Sequence, residues 1–81
     1  MLSYEEKLAY MANQICDFFR AQGEAKAVPA IADHINKFWD PQMREDFLRF
    51  AQRPEASLNE LVRKALPLIR VPAKALNQPS P

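Results

Sequence analysis

Eighty-one residues, 48% hydrophobic and 26% charged, compose at most one small globular domain. Eleven Lys and Arg against ten Asp and Glu leave a net charge of +1, so neither nucleic acid nor an anionic membrane meets a strong attracting field. A single glycine excludes the glycine-rich phosphate loops, and one cysteine with one histidine exclude a zinc, iron–sulfur or Cys/His catalytic centre built from this chain alone.

Near the start, Glu5 and Glu6 stand where a secretory signal would carry basic residues, and the apolar run Leu8–Ala12 is only five residues long. Neither a signal peptide nor a membrane span is expected. Cys16 has no cysteine to pair with, which points to a reducing compartment, the cytoplasm.

Ser3 and Glu6 form an S-x-x-E capping box that starts a helix. Tyr4, Leu8, Met11, Ile15, Phe18 and Phe19 follow at helical spacing and read as its core stripe, and Gly23 suits a left-handed stop. A second helix runs to Trp39, with Pro29 tolerable only in its first turn and Ile31, Ile35 and Phe38 on its apolar face.

Asp40 and Pro41 then read as N-cap and first residue of a third helix, whose core side carries Met43, Phe47 and Phe50 and which stops before Pro54. With so short a link, the second and third helices should meet at a corner. Ser57 and Glu60 form another capping box, opening a fourth helix through Leu58, Leu61, Val62, Ala65 and Ile69, with Pro67 kinking or fraying its end. Four of the seven prolines lie at or after position 67, so 1–70 reads as a helical domain and 71–81 as an extended or disordered tail. The fold class is all-α: a small bundle of four helices.

Few residues could carry chemistry. His34 lies about 60° off the second helix's apolar stripe and lacks companions for metal binding or acid–base work. It reads as a boundary histidine bonded to a carbonyl or carboxylate, or as a contact to a partner chain. Phe38, Trp39, Asp40, Met43 and Arg44 surround the helix corner with the residue types enriched at interface centres, and Trp39 suits a core or an interface anchor equally.

Tyr10 points about 160° away from the first helix's stripe, with Asn13 and Gln14 beside it, as a singly exposed aromatic or a binding strip. Cys16, about 80° from the stripe's centre, reads as a small boundary hydrophobe. Arg63, Lys64, Arg70 and Lys74 complement a helix C-terminus better than they form a nucleic-acid patch.

Two linked blocks are more specific: Met11-Ala12-Asn13-Gln14-Ile15 followed by Asp17-Phe18-Phe19, and Ile31-Ala32-Asp33-His34-Ile35 through Lys37-Phe38-Trp39-Asp40-Pro41 to Met43-Arg44. Over residues 7 to 69 the chain resembles the delta subunit of bacterial NAD-dependent, molybdenum-containing formate dehydrogenases. Cys16 and Gln42 depart from the small and basic residues expected there.

The resemblance implies a non-catalytic accessory subunit with no cofactor of its own. Its partner would be the alpha subunit, which oxidises formate to carbon dioxide with bis-molybdopterin guanine dinucleotide and iron–sulfur clusters. Beta and gamma subunits would pass electrons through further clusters and FMN to NAD. The delta chain would bind and stabilise alpha or help it mature. A transient maturation chaperone, absent from the finished complex, is the alternative. A core of this size, marginal by itself, also leans toward a partner.

Overall fold

In the computed structural model, which describes residues 1–71, α1 spans Tyr4–Phe19, α2 Glu24–Phe38, α3 Pro41–Ala51 and α4 Glu60–Ala65. No strand is present among the described residues. The tail expected at 71–81 falls, from residue 72 onward, outside them.

Both arms of the first capping box form: Ser3 Oγ accepts the Glu6 N–H at 3.1 Å, and Glu6 Oε1 accepts the Ser3 N–H at 2.9 Å. After α1 a 3₁₀ turn, Arg20–Gln22, leads to Gly23 at φ 91° and ψ 152°. That positive φ is open to glycine at little cost. Its N–H donates to Arg20 O, while its carbonyl accepts the N–H groups of Lys26 and Ala27, so one glycine closes a helix and opens the next.

α2 begins at Glu24, so Pro29 lies in its second turn and not in the first, as the sequence suggested. The proline removes the N–H that would meet the Ala25 carbonyl. Both residues are exposed, which leaves that carbonyl to water. At the far end Trp39 turns extended, and Asp40 Oδ1 accepts the Met43 N–H at 2.8 Å with Pro41 in the first position of α3. The expected corner follows: α2 packs on α1 and α4, whereas α3 packs on α1.

The second capping box does not form. α4 starts after Asn59, whose side chain makes no cap bond. Instead Asn13 of α1 reaches across: its Nδ2 donates to Ser57 O at 3.0 Å, and its Oδ1 accepts the Asn59 N–H at 2.9 Å. A distant carboxamide thus fixes the chain's approach to α4 without capping the N–H groups of its first turn. Pro67 ends the helix as expected, in a 3₁₀ turn at Leu66–Leu68.

The core joins Leu8, Ala12 and Cys16 of α1 to Ile31 and Ile35 of α2, Phe47 and Phe50 of α3, and Val62 and Ala65 of α4. Trp39 packs edge-on against Phe47, ring centres 5.4 Å apart. On α1 the stripe read from the sequence needs correction. The buried set Leu8, Ala9, Ala12 and Cys16 is turned about 85° from the Tyr4-to-Phe19 stripe at 100° per residue. Small side chains let α2, α3 and α4 approach α1 closely, which puts Cys16 fully inside and leaves Tyr4, Met11 and Phe18 exposed.

Candidate partner interface

The displaced aromatic flank of α1 faces the corresponding flank of α2. Met11, Gln14 and Phe18, spaced by three and four, form one wall column; Ile15 and Phe19 form the floor; His34 and Trp39 close the other side. The groove encloses about 320 Å³.

Phe18, on the groove wall, is 77% exposed, and Phe38, next to the lining His34, is 69% exposed, so both are large aromatic rings in water. Phe18 stacks edge-on with Phe19 at 5.0 Å. His34 lies 4.7 Å from the Phe38 ring and 6.2 Å from Phe19, so one run of rings crosses from helix to helix. No hydrogen bond to the His34 side chain is found among the described residues; its packing is aromatic instead of the expected polar bond. Phe38, expected inside, is on the rim because α2 turns Ile31 and Ile35 into the core.

The residues singled out from the sequence separate into three places. His34, Phe38, Trp39 and Gln14 surround the groove. Tyr10 and Asn13 lie along a different cleft with Leu2, Glu6 and Phe50, where the Asn13 amide is already engaged by α4. Asp40, Met43 and Arg44 belong to the start of α3: Asp40 caps it, Met43 packs against the core, and Arg44 is half-buried.

Met11, Phe18 and Phe19 were missed as surface candidates. The signal was there: Ala9, Ala12 and Cys16 repeat at three and four, a narrow face for close packing beside a bulky one.

Electrostatics around the groove are mild. Asp17–Arg20 and Asp33–Lys37 are exposed pairs within single helices, at 3.2 and 3.1 Å, of a kind worth about 0.3–0.5 kcal/mol each. Elsewhere, Tyr4 donates to Asp46 Oδ2 at 2.9 Å. Loss of surrounding water, then that bond and the Asp46 charge, hold its phenol above the ordinary tyrosine range. Lys64 meets Glu24 Oε2 at 2.6 Å, a bond that raises its ammonium above the usual lysine range.

No group of three or more His, Cys, Asp and Glu able to hold a metal occurs among the described residues. The one cysteine is buried in the core and the one histidine stands in the aromatic groove, so these residues offer no ligand set for an iron–sulfur cluster. No helix among the described residues is long and apolar enough to cross a membrane. What the arrangement offers is exposed apolar and aromatic surface.

Neither the curated proteins nor the solved structures yielded a match. Residues 7–66, however, match a protein family along both groove-forming helices, the corner and α4. The chain belongs to that family, the NADH-dependent formate dehydrogenase delta subunit FdsD.

Proposed function

We propose that this delta subunit is a structural and assembly subunit, docking through the α1/α2 groove and the Trp39–Arg44 corner onto the molybdenum-containing alpha subunit. The observation that carries this reading is a groove with no charged wall whose Phe18 ring stands in water, together with the exposed Phe38 ring packed on its His34. A small domain gains little from two aromatic side chains in that position, whereas an interface gains a great deal. Docking would stabilise the folded partner by mass action, since the delta chain binds the folded form and not the unfolded one.

In this reading, bis-molybdopterin guanine dinucleotide, iron–sulfur clusters and FMN reside in the alpha, beta and gamma subunits, and formate oxidation takes place in alpha. The complex works in the cytoplasm, where the unpaired Cys16 stays reduced. The delta chain supplies no reacting group.

The experiment is co-purification of the tagged full-length chain with the alpha subunit. Wild type should be retained at one delta chain per alpha chain. A Phe18→Ala/Phe38→Ala variant that remains folded should lose at least about 30-fold in affinity, the effect of removing a central aromatic anchor. Undiminished capture by that variant would remove the groove from the interface. A substoichiometric delta chain in fully active enzyme would replace permanent subunit by transient chaperone.

A further inference from the structure

Arg44 is the anomaly among the cations of the corner. Its Nε is buried and has no hydrogen-bond partner among the described residues. Its Nη1 reaches Asn36 Oδ1 at 3.5 Å, the limit of a hydrogen bond, and that oxygen already accepts the Arg70 N–H at 2.7 Å. No acidic side chain among the described residues forms an ion pair with Arg44, whereas Arg49, in the same helix, pairs with Glu45 and Asp46, and Arg53, just beyond it, pairs with Glu55.

The N-cap carboxylate of Asp40, one turn before Arg44, directs Oδ1 at the Met43 N–H, and Glu45, next in the chain, pairs with Arg49. Arg44 also stands close to the positive end of α3, where a cation is disfavoured and an anion favoured. The guanidinium is half-buried, its Nε–H is unmet and its one bond, from Nη1, is marginal, an arrangement that costs stability.

We infer that Arg44 receives a carboxylate from an Asp or Glu side chain of the alpha subunit, which meets its terminal Nη groups when the two chains dock. The inference rests on the docking proposed above and adds the chemistry of one partner group. A carboxylate matches the planar fork in two parallel bonds and offers the negative charge that the site lacks. The Asn36 carboxamide forms the back of the site: its Nδ2 donates to Leu68 O at 3.0 Å, and its Oδ1 brings the backbone of Arg70, a second cationic residue, alongside. The chain following α4 is thereby held at the edge of the Arg44 site. The groove supplies apolar area, while Arg44 sets which acidic surface fits and in what register.

The test compares full-length wild type, Arg44→Met and Arg44→Lys in two measurements: thermal unfolding of the free chain, and affinity for the purified alpha subunit between 50 and 300 mM salt. Arg44→Met keeps the apolar stem, so its free-chain midpoint should stay within about 3 °C of wild type or rise. Its affinity should fall at least about 30-fold, and its salt dependence should flatten relative to wild type. Arg44→Lys, with charge but no fork, should fall between them and retain the wild-type salt dependence.

Arg44→Met binding within about threefold of wild type, with an unchanged salt dependence, would overturn the inference while leaving docking intact. A fall in free-chain midpoint with affinity unchanged for both variants would make Arg44 a purely internal residue and overturn it equally. Failure of wild type itself to bind alpha would defeat the docking proposal, and this inference with it.

Discussion

Asn13 Oδ1 accepts the backbone N–H of Asn59 across 2.9 Å, although 46 positions separate the two in the chain. The same carboxamide donates to the carbonyl of Ser57, so α1 fixes the path by which the chain turns into α4. α4 has only six residues and no side-chain cap of its own. A helix that short does not hold together in isolation. Its docking on α1 and α2 is what makes it a helix.

Removal of the Asn13 amide should therefore act on α4 first. Asn13→Ala leaves one donor and one acceptor unpaired in a partly buried place, for an expected loss of about 1–3 kcal/mol. Asn13→Asp retains the acceptor for Asn59 but loses the donor for Ser57, and should cost less. Urea unfolding measures both; a loss below about 0.3 kcal/mol for Asn13→Ala would show that water replaces the carboxamide.

The two groove rims should be nearly silent in the free chain. Phe18→Ala and Phe38→Ala each remove an exposed ring with one aromatic neighbour, so each should shift stability by less than about 1 kcal/mol. Trp39→Ala, by contrast, removes a buried ring against Phe47 and should cost about 3–5 kcal/mol. Circular dichroism melts of the three variants separate surface from core. A large loss for Phe18→Ala would mean that its ring holds Phe19 and the groove floor in place.

Cys16 should be chemically quiet. It is wholly inaccessible among Leu8, Ala12 and Ile31, so a thiol reagent can reach it only when the domain opens. Labelling should follow the unfolding equilibrium and accelerate with urea in parallel with loss of helix. Cys16→Ser places a hydroxyl in the same apolar pocket and should cost about 1–3 kcal/mol. Rapid labelling under native conditions would contradict the packing.

At alkaline pH two contacts should weaken together. Tyr4 and Lys64 both have folded-state values raised above their ordinary ones, so each favours folding while protonated. That contribution is complete below the unfolded values, near pH 10, and is lost as pH rises through the folded ones. In low salt, a Tyr4→Phe/Lys64→Met variant should show a shallower fall in melting temperature than wild type between pH 9 and 11.5. Parallel curves would mean that neither contact favours the folded state.

Much of the fold can be read locally. Ser3 with Glu6, Asp40 with Pro41, and Pro67 each act within a turn of their own position, so short-range sterics and hydrogen bonding suffice to place those boundaries. One cysteine and one histidine argue against a zinc, iron–sulfur or Cys/His catalytic centre built from this chain alone, and the linked blocks of α1 and α2 pointed to the family that the match over residues 7–66 shows.

Tertiary packing decided the rest. Periodicity states that α1 has an apolar side, but not which part of a broad side the other helices will cover. The close approach of three helices selected Ala9, Ala12 and Cys16, and that choice turned Phe18 and Met11 out into the groove. Ser57 does not cap α4; its carbonyl and the Asn59 N–H are held instead by the Asn13 carboxamide from across the bundle. The corner's composition marked Arg44 for an interface, but only the packed structure shows its Nε buried and without a partner among the described residues. Each of these outcomes depends on which distant side chain arrives first at a shared space, and a linear pattern carries no record of that competition.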